Sequence, residues 1–436
     1  VIYLRSDLSN LDAVSEPQGN PGGDPGYGVW GQTWSEDELV ETYHVDPREL
    51  LDCVGLIRIP LGNGTSKIGT GTILARGANH YVLTAMHVVK GFHPSQIEFY
   101  VPRGQSELAS AMGEGEPFRV VDGIDIPDLR DKDLALLKLD RPVTNVQGAR
   151  LWRDSLTPSE VWMVGFGKDN YEILSDTVLA SRTREFGRSR FDQKKEYNGE
   201  VSFKGWGPVY GEHLVYELGA GEAAIGAGDS GGPSLVWKRE LTVNRHGKLV
   251  RGLTPYIVGV HVAADPPEPL YIDHESYDLS IAPMWESIDQ RIPRRNLAFV
   301  GFDDLNIIES GDNENTPAGS GEWHFRMQAN GQWQDSTILD AFSGCTYELG
   351  YQLMVDVTNA NSLDIRFWGY EDDDGIPIFF GGTGPDDTIP LFQRTFGSLS
   401  YGGEAFTPTV HRLDSGAVYG EDCSYELTYW IVSMVI

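Results

Sequence analysis

Cysteine is scarce in this chain, with Cys53, Cys345 and Cys423 the only three in 436 residues. So few exclude a small disulfide-built scaffold and leave the fold to hydrophobic cores. Cys345 and Cys423 either pair within the C-terminal region or remain thiols, and Cys53 is expected as a buried thiol. Long apolar runs are missing too: nowhere do about 18 apolar residues follow one another, so no helical membrane span is expected. Basic residues are outnumbered, 34 Lys and Arg against 64 Asp and Glu, for a formal net charge of -30. That balance makes the phosphate backbone of a nucleic acid a poor partner and suits cationic partners, metal ions or solubility in a salty medium. The opening VIYLRSDLSN lacks the basic start and apolar stretch of a signal peptide, so any targeting segment is read as removed or never present.

What is present is an ordinary soluble composition, 40% hydrophobic and 22% charged, in a length that favours two compact units plus an extension. Residues 1–45 are polar and punctuated, with NPGGDPGYG inside them, and read as an N-terminal extension or propeptide remnant. From about Leu50 the texture changes to short apolar runs broken by glycine: VGLIRIP, GTGTILA, HYVLTAMHVV, LALLKL, VWMVGFG and YIVGVHVAA. Runs of that length, rich in β-branched residues, predict antiparallel strands of a barrel or sandwich. Helix is expected mainly in APMWESIDQRI, which stops before Pro293. After Arg295 the strands become acidic and aromatic (EWHFRMQ, YELGYQLMVDV, SLDIRFWGYE, YELTYWIVSMVI), with period-two alternation between Gly, Asp and Asn clusters. The expected organisation is therefore all-β, with one domain over 46–296 and an acidic β-sandwich over 297–436.

The chemistry concentrates in Gly228-Asp229-Ser230-Gly231-Gly232-Pro233. Ser230 is a candidate nucleophile, and the backbone N–H groups of Gly228 and Ser230 can converge on a developing oxyanion. Asp229 is expected to turn inward and hold the loop, for which a buried carboxylate needs a cation or several donors. A serine hydroxyl needs a base beside it, and TAMHVV delivers His87 at the end of an apolar strand. A third group must orient the imidazole, and Asp133 heads the apolar run LALLKL. Each residue alone has a blander reading: a glycine-rich turn, a packed histidine, a strand-end acid. Their chain order, His then Asp then Ser, is that of one class of serine hydrolase and not of the subtilisin or α/β-hydrolase types.

With TAMHVV, DLALLKL, VGFG, GDSGGP and IVGVHVAA in that order, the stretch from about residue 50 to 292 resembles the trypsin-like serine proteases, in their bacterial branches. The resemblance implies two six-stranded antiparallel β-barrels, a triad of His87, Asp133 and Ser230, and acyl transfer through an acyl-enzyme on protein or peptide substrates, with no cofactor required. It implies a secreted, periplasmic or cell-surface protein. It leaves oligomeric state open. The primary specificity pocket maps to Ala224 and Ile225 before the serine and to His261, Val262, Ala263 and Ala264 on the wall strand. Ala224 stands where a selective Asp would bind Arg or Lys, so a neutral apolar residue before the cleaved bond is expected. Glutamate comes second, because glutamate-specific relatives use a histidine at the place of His261. The structural alternative for His261 is a packed histidine on a buried strand. The chain departs from the family in lacking the disulfides beside the histidine and the serine loop and an IVGG-type new N-terminus, and in carrying Val262 where a serine often supports the catalytic Asp.

In the C-terminal unit, acidic clusters at expected loop positions, among them Asp303, Asp304, Asp372 and Asp374, fit either a structural calcium site or solvated turns. Trp323, Trp333 and Trp368 are expected mainly in the core of a sandwich, with an exposed binding face as the alternative. The competing function is a binding or adhesion protein that uses an inactive protease scaffold.

Overall fold

The computed structural model describes residues 51–76, 79–101, 116–124, 126–129, 131–167, 173–175, 184–203, 207–217, 223, 225–244, 248–264, 275–309, 321–341, 345–360, 362–372, 388–397, 409–419 and 424–435. The extension expected over 1–45 lies outside them. The chain divides into compact units at Arg294/Arg295.

The first unit begins with β1 (Val54–Gly62), β2 (Thr65–Ile73), β3 (Tyr81–Thr84), β4 (Glu98–Tyr100), β5 (Phe118–Ile124) and β6 (Ala135–Leu139). They follow the order β1-β4-β5-β6-β3-β2, and β1 pairs β2, closing a six-stranded antiparallel barrel. Its interior takes alternate residues of the apolar runs that marked the sequence, among them Ile57, Ile73, Val82, Leu137 and Leu139, all of them buried. A one-turn helix, α1 (Met86–Val89), follows β3.

Then come β7 (Arg150–Leu151), β8 (Glu160–Gly165), β9 (Ile173–Ser175), β10 (Glu185–Arg190), β11 (Gln193–Phe203), β12 (Gly207–Glu217), β13 (Pro233–Val243), β14 (Leu249–Ala264), β15 (Glu275–Ser280) and helix α2 (Trp285–Asp289). β9 pairs with Thr65–Lys67 of β2, beyond the stretch that β3 covers, while the other strands build a second sheet in the order β10-β8-β13-β14-β15-β12-β11, with β7 on β14. The helix expected in APMWESIDQRI is this α2, shorter than the segment.

The second unit comprises β16 (Asn296–Glu309), β17 (Gly321–Ala329), β18 (Gln332–Ala341), β19 (Thr346–Asp356), β20 (Leu363–Asp372), β21 (Thr388–Phe396), β22 (Thr409–Tyr419) and β23 (Ser424–Val435). They form two antiparallel sheets, β19-β16-β23-β22 and β18-β17-β20-β21. Alternate residues of both sheets, including Val300, Phe302, Leu427 and Tyr429 from one and Phe325, Met327, Ile365 and Phe367 from the other, bury a common core.

Two expectations fail here. Asp303 and Asp304 lie within strand β16 and not in a loop, where the register with β19 shifts between Phe302 and Asp304. Asp303 accepts a hydrogen bond from the indole of Trp430 at 3.0 Å. The side chains of Asp372 and Asp374 lie outside the described residues. Trp333 is 54% exposed and Trp368 partly exposed, because Phe325, Met327, Ile365 and Phe367 fill the inward positions and strand alternation turns both tryptophans outward. The side chain of Trp323 lies outside the described residues.

Of the two readings for the C-terminal cysteines, the structure shows the thiol at Cys345, and Cys53 is buried as expected. Cys345 is an exposed free thiol, and Cys423 lies outside the described residues. Cys53 is fully buried, and desolvation pushes its thiol up to about 12. A thiol reagent is therefore expected to label Cys345 in the native protein at neutral pH and Cys53 only after unfolding. Equal native labelling of both, read by peptide mass spectrometry, would contradict the buried position of Cys53.

Candidate active site

Strand β3 is buried along its whole length and pairs β6 with Thr84 opposite Ala135. Three residues past Thr84 stands His87, and two before Ala135 stands Asp133, so the register alone brings both to one end of the barrel. The carboxylate of Asp133 spans the histidine: Oδ2 lies 2.6 Å from Nδ1, and Oδ1 accepts the His87 backbone N–H at 2.8 Å. A carboxylate engaged at both points fixes the position and the rotation of the ring. It also selects the tautomer with hydrogen on Nδ1, leaving Nε2 as the basic edge. The His87 carbonyl accepts from the Lys67 ammonium at 2.8 Å, which pins α1 from the other side.

Ser230 sits in the loop entering β13 and is 6% exposed. Thr70, in the middle of β2, ties this loop to the first barrel. Its N–H donates to the Ser230 carbonyl at 2.9 Å, and its hydroxyl donates to the Gly228 carbonyl at 3.0 Å and accepts from Phe166 N–H at 3.2 Å. The Thr70 carbonyl in turn accepts from the hydroxyl of Thr84 at 2.7 Å, just before His87. The two segments carrying His87 and Ser230 are thus held by one chain of buried bonds, Thr84 to Thr70 to the serine loop. Nothing in GTGTIL announces Thr70, because its partners are remote in sequence. Thr70→Val keeps the shape and strands the Gly228 carbonyl and the Phe166 N–H, an expected loss of roughly 1–3 kcal/mol. A melting curve and turnover number unchanged in that variant would contradict the role.

Two glycines of the loop have left-handed backbones, Gly228 at φ +93° and Gly231 at φ +85°. A side-chain carbon on Gly231 would overlap the Thr84 hydroxyl and the Thr70 carbonyl, so the serine loop approaches the strand end that carries His87 only because nothing projects there. Within the loop the N–H groups of Asp229, Gly231 and Gly232 point to the carbonyls of Gly226, His261 and Asp229. The N–H groups of Gly228 and Ser230 take part in none of those bonds.

Asp229 does turn inward. It accepts from Gly167 N–H at 2.6 Å and from Gly226 N–H at 2.8 Å. Backbone donors therefore supply the compensation that an inward-turned, partly buried carboxylate requires. A side chain at Gly165 or Gly167 would collide with it, which gives the VGFG glycines their purpose. Beside His87, a side chain at Gly69 would overlap Val88; packing of Val88 onto β2 occupies the site.

Of the expected pocket residues, Ala224 lies outside the described residues. Ile225 is buried among Trp152, Met163, Leu214, Tyr216 and Val258, and its N–H donates to Ser276 Oγ at 3.0 Å. Val262 and Ala263 are buried on β14, and the Ala264 side chain is outside the description. His261 is 1% exposed. Its N–H donates to the Gly232 carbonyl at 2.8 Å and its own carbonyl accepts from Gly231. Its ring Nδ1 lies 2.6 Å from Asp278 Oδ1, a carboxylate that is 0% exposed and opposite it across β14 and β15. Asp278 was not among the residues singled out in the sequence. His213 was not either: desolvation pushes its imidazole below the ordinary value, opposed by the Gly211 carbonyl and by the fields of Asp278 and Asp133. Among the described residues no group of three or more His, Cys, Asp or Glu is placed to hold a metal ion, and no helix is long and apolar enough to cross a membrane.

A closed six-stranded barrel followed by a second sheet, with a histidine–aspartate pair at one barrel end and a glycine-lined serine loop tied to the same strands, defines the chymotrypsin fold. Residues 59–265 match the family model described as Trypsin, and they form a trypsin-like domain of the serine protease family. No curated protein matches the chain. Among solved structures, a scabies mite inactivated protease paralogue is 17% identical, with a TM-score of 0.37 over 56% of this chain and 94% of that one. An HtrA-type protease with a tripeptide is 18% identical, at 0.35 over 59% of this chain and 63% of that one. Human heparin binding protein is 15% identical, at 0.35 over 56% and 93%. Likenesses at this level carry no weight for activity.

Proposed function

We propose that the chain is a serine endopeptidase that cleaves peptide bonds through an acyl-enzyme on Ser230. The observation that carries the reading is the double engagement of His87 by Asp133, at 2.6 and 2.8 Å. That arrangement serves a base that must accept a proton at Nε2 and return it. His87 takes the proton of Ser230 as Oγ attacks the peptide carbonyl, and Asp133 stabilises the imidazolium that forms. The N–H groups of Gly228 and Ser230 hold the oxyanion. His87 then protonates the leaving amine, and water repeats the sequence on the ester.

For the residue before the cleaved bond we favour a neutral apolar side chain, with glutamate second. The absence of an Asp at Ala224, the apolar surroundings of Ile225 and the engagement of the His261 ring by Asp278 support that order. Incubating the full chain with a diverse peptide library tests both parts. Internal cleavage after apolar residues is expected. Dominant cleavage after Arg or Lys overturns the specificity, and no cleavage of any peptide, by folded protein, overturns the activity and favours a binding protein on an inactive scaffold.

A further inference from the structure

The outward face of sheet β18-β17-β20-β21 takes no part in the chemistry above. Phe325, Met327, Leu363, Ile365 and Phe367 are buried, so alternation turns Arg326, Gln328, Asp364, Arg366 and Trp368 outward. Trp333 on β18 stands opposite Gln328, and Trp368 on β20 opposite Arg326. The two indoles therefore flank β17, roughly 12 Å apart from two strand spacings across and two residues along.

This face is held in place without being buried. The Arg326 guanidinium lies 4.2 Å from the centroid of the Trp333 ring. It is itself clamped by Asp335, Nε to Oδ1 at 2.5 Å and Nη2 to Oδ2 at 2.8 Å. Beside it Asp364 accepts from Arg366 at 2.8 Å, Gln393 at 3.2 Å and Thr395 at 2.9 Å. Exposed pairs of this kind contribute little to stability, whereas a fixed aromatic surface lowers the ordering cost of binding. Each cation named on the face is matched by a carboxylate on the same face. That local pairing leaves an ionic ligand of either sign no uncompensated charge among the groups named, which favours a ligand without charge.

We propose that this face binds a neutral polysaccharide, with sugar rings packing their C–H faces on the indoles of Trp333 and Trp368. Arg326, Gln328 and Gln393 would meet the hydroxyls. Indoles suit such a ligand because they offer apolar area at small entropic cost, amide edges both donate to and accept from hydroxyls, and a guanidinium donates to them. The separation of the two indoles fits a stretch of two to three rings. An anionic polymer gains nothing from paired arginines and is repelled by the rest of the chain.

The test is calorimetric titration of the full chain with cellohexaose, chitohexaose, laminarihexaose and a heparin fragment, with peptidase turnover measured in parallel. At least one neutral oligosaccharide is expected to bind. Trp333→Ala is expected to weaken it at least tenfold and Trp368→Ala measurably, both without change in turnover. Failure of all three neutral oligosaccharides at millimolar concentration, binding of heparin alone, or affinity indifferent to both tryptophan substitutions would each overturn the proposal.

Discussion

Ser230→Ala is expected to abolish peptide hydrolysis while leaving the melting transition almost where it was. The hydroxyl is the covalent participant, so its removal forfeits the acyl-enzyme route, commonly a loss of about 10⁴-fold or more in turnover. The fold has little reason to notice. The bond from Thr70 goes to the Ser230 backbone carbonyl, which alanine retains, and the Asp229 bonds to Gly167 and Gly226 do not involve the side chain. Hydrolysis at the original rate by the variant would remove Ser230 from the mechanism.

Asp133→Asn is expected to lower turnover by roughly 10³- to 10⁴-fold, with much smaller change in the Michaelis constant. The carboxylate accepts from two donors on one residue, the ring Nδ1–H and the backbone N–H of His87. An amide has one oxygen for these two positions. If it keeps the backbone N–H, its NH₂ faces the ring and forces hydrogen onto Nε2, the atom that must act as base. Steady-state kinetics check the split. A tenfold rise in the Michaelis constant with unchanged turnover would show that Asp133 serves binding and not the proton transfer.

The pairing of His87 with Asp133 and the glycine-lined setting of Ser230 were legible because each residue stands in a run whose local composition fixes its setting: glycines around the serine, apolar strands ending or starting beside the other two. Residues whose role depends on strand register were not. Thr70 meets Gly228 across 158 positions, and Asp278 meets His261 only because β15 lies against β14; neither contact leaves a mark on its own segment. In sequence, helix α1 reads as the end of a strand because one turn is too short for a helical period. Asp303 and Asp304 suggested a loop by composition, yet the bulge in β16 accommodates them within the strand. Residue type alone points Trp333 and Trp368 to the core, although the alternation through RFWGYE and the inward demand of Phe367 place Trp368 outside.

Reaction of the full chain with a fluorophosphonate probe, followed by peptide mass spectrometry, tests the account most directly, because the probe needs the serine, its base and the oxyanion donors assembled together. The expected result is a single stoichiometric adduct on Ser230, lost in His87→Ala. Folded protein that remains unlabelled at Ser230 would contradict it.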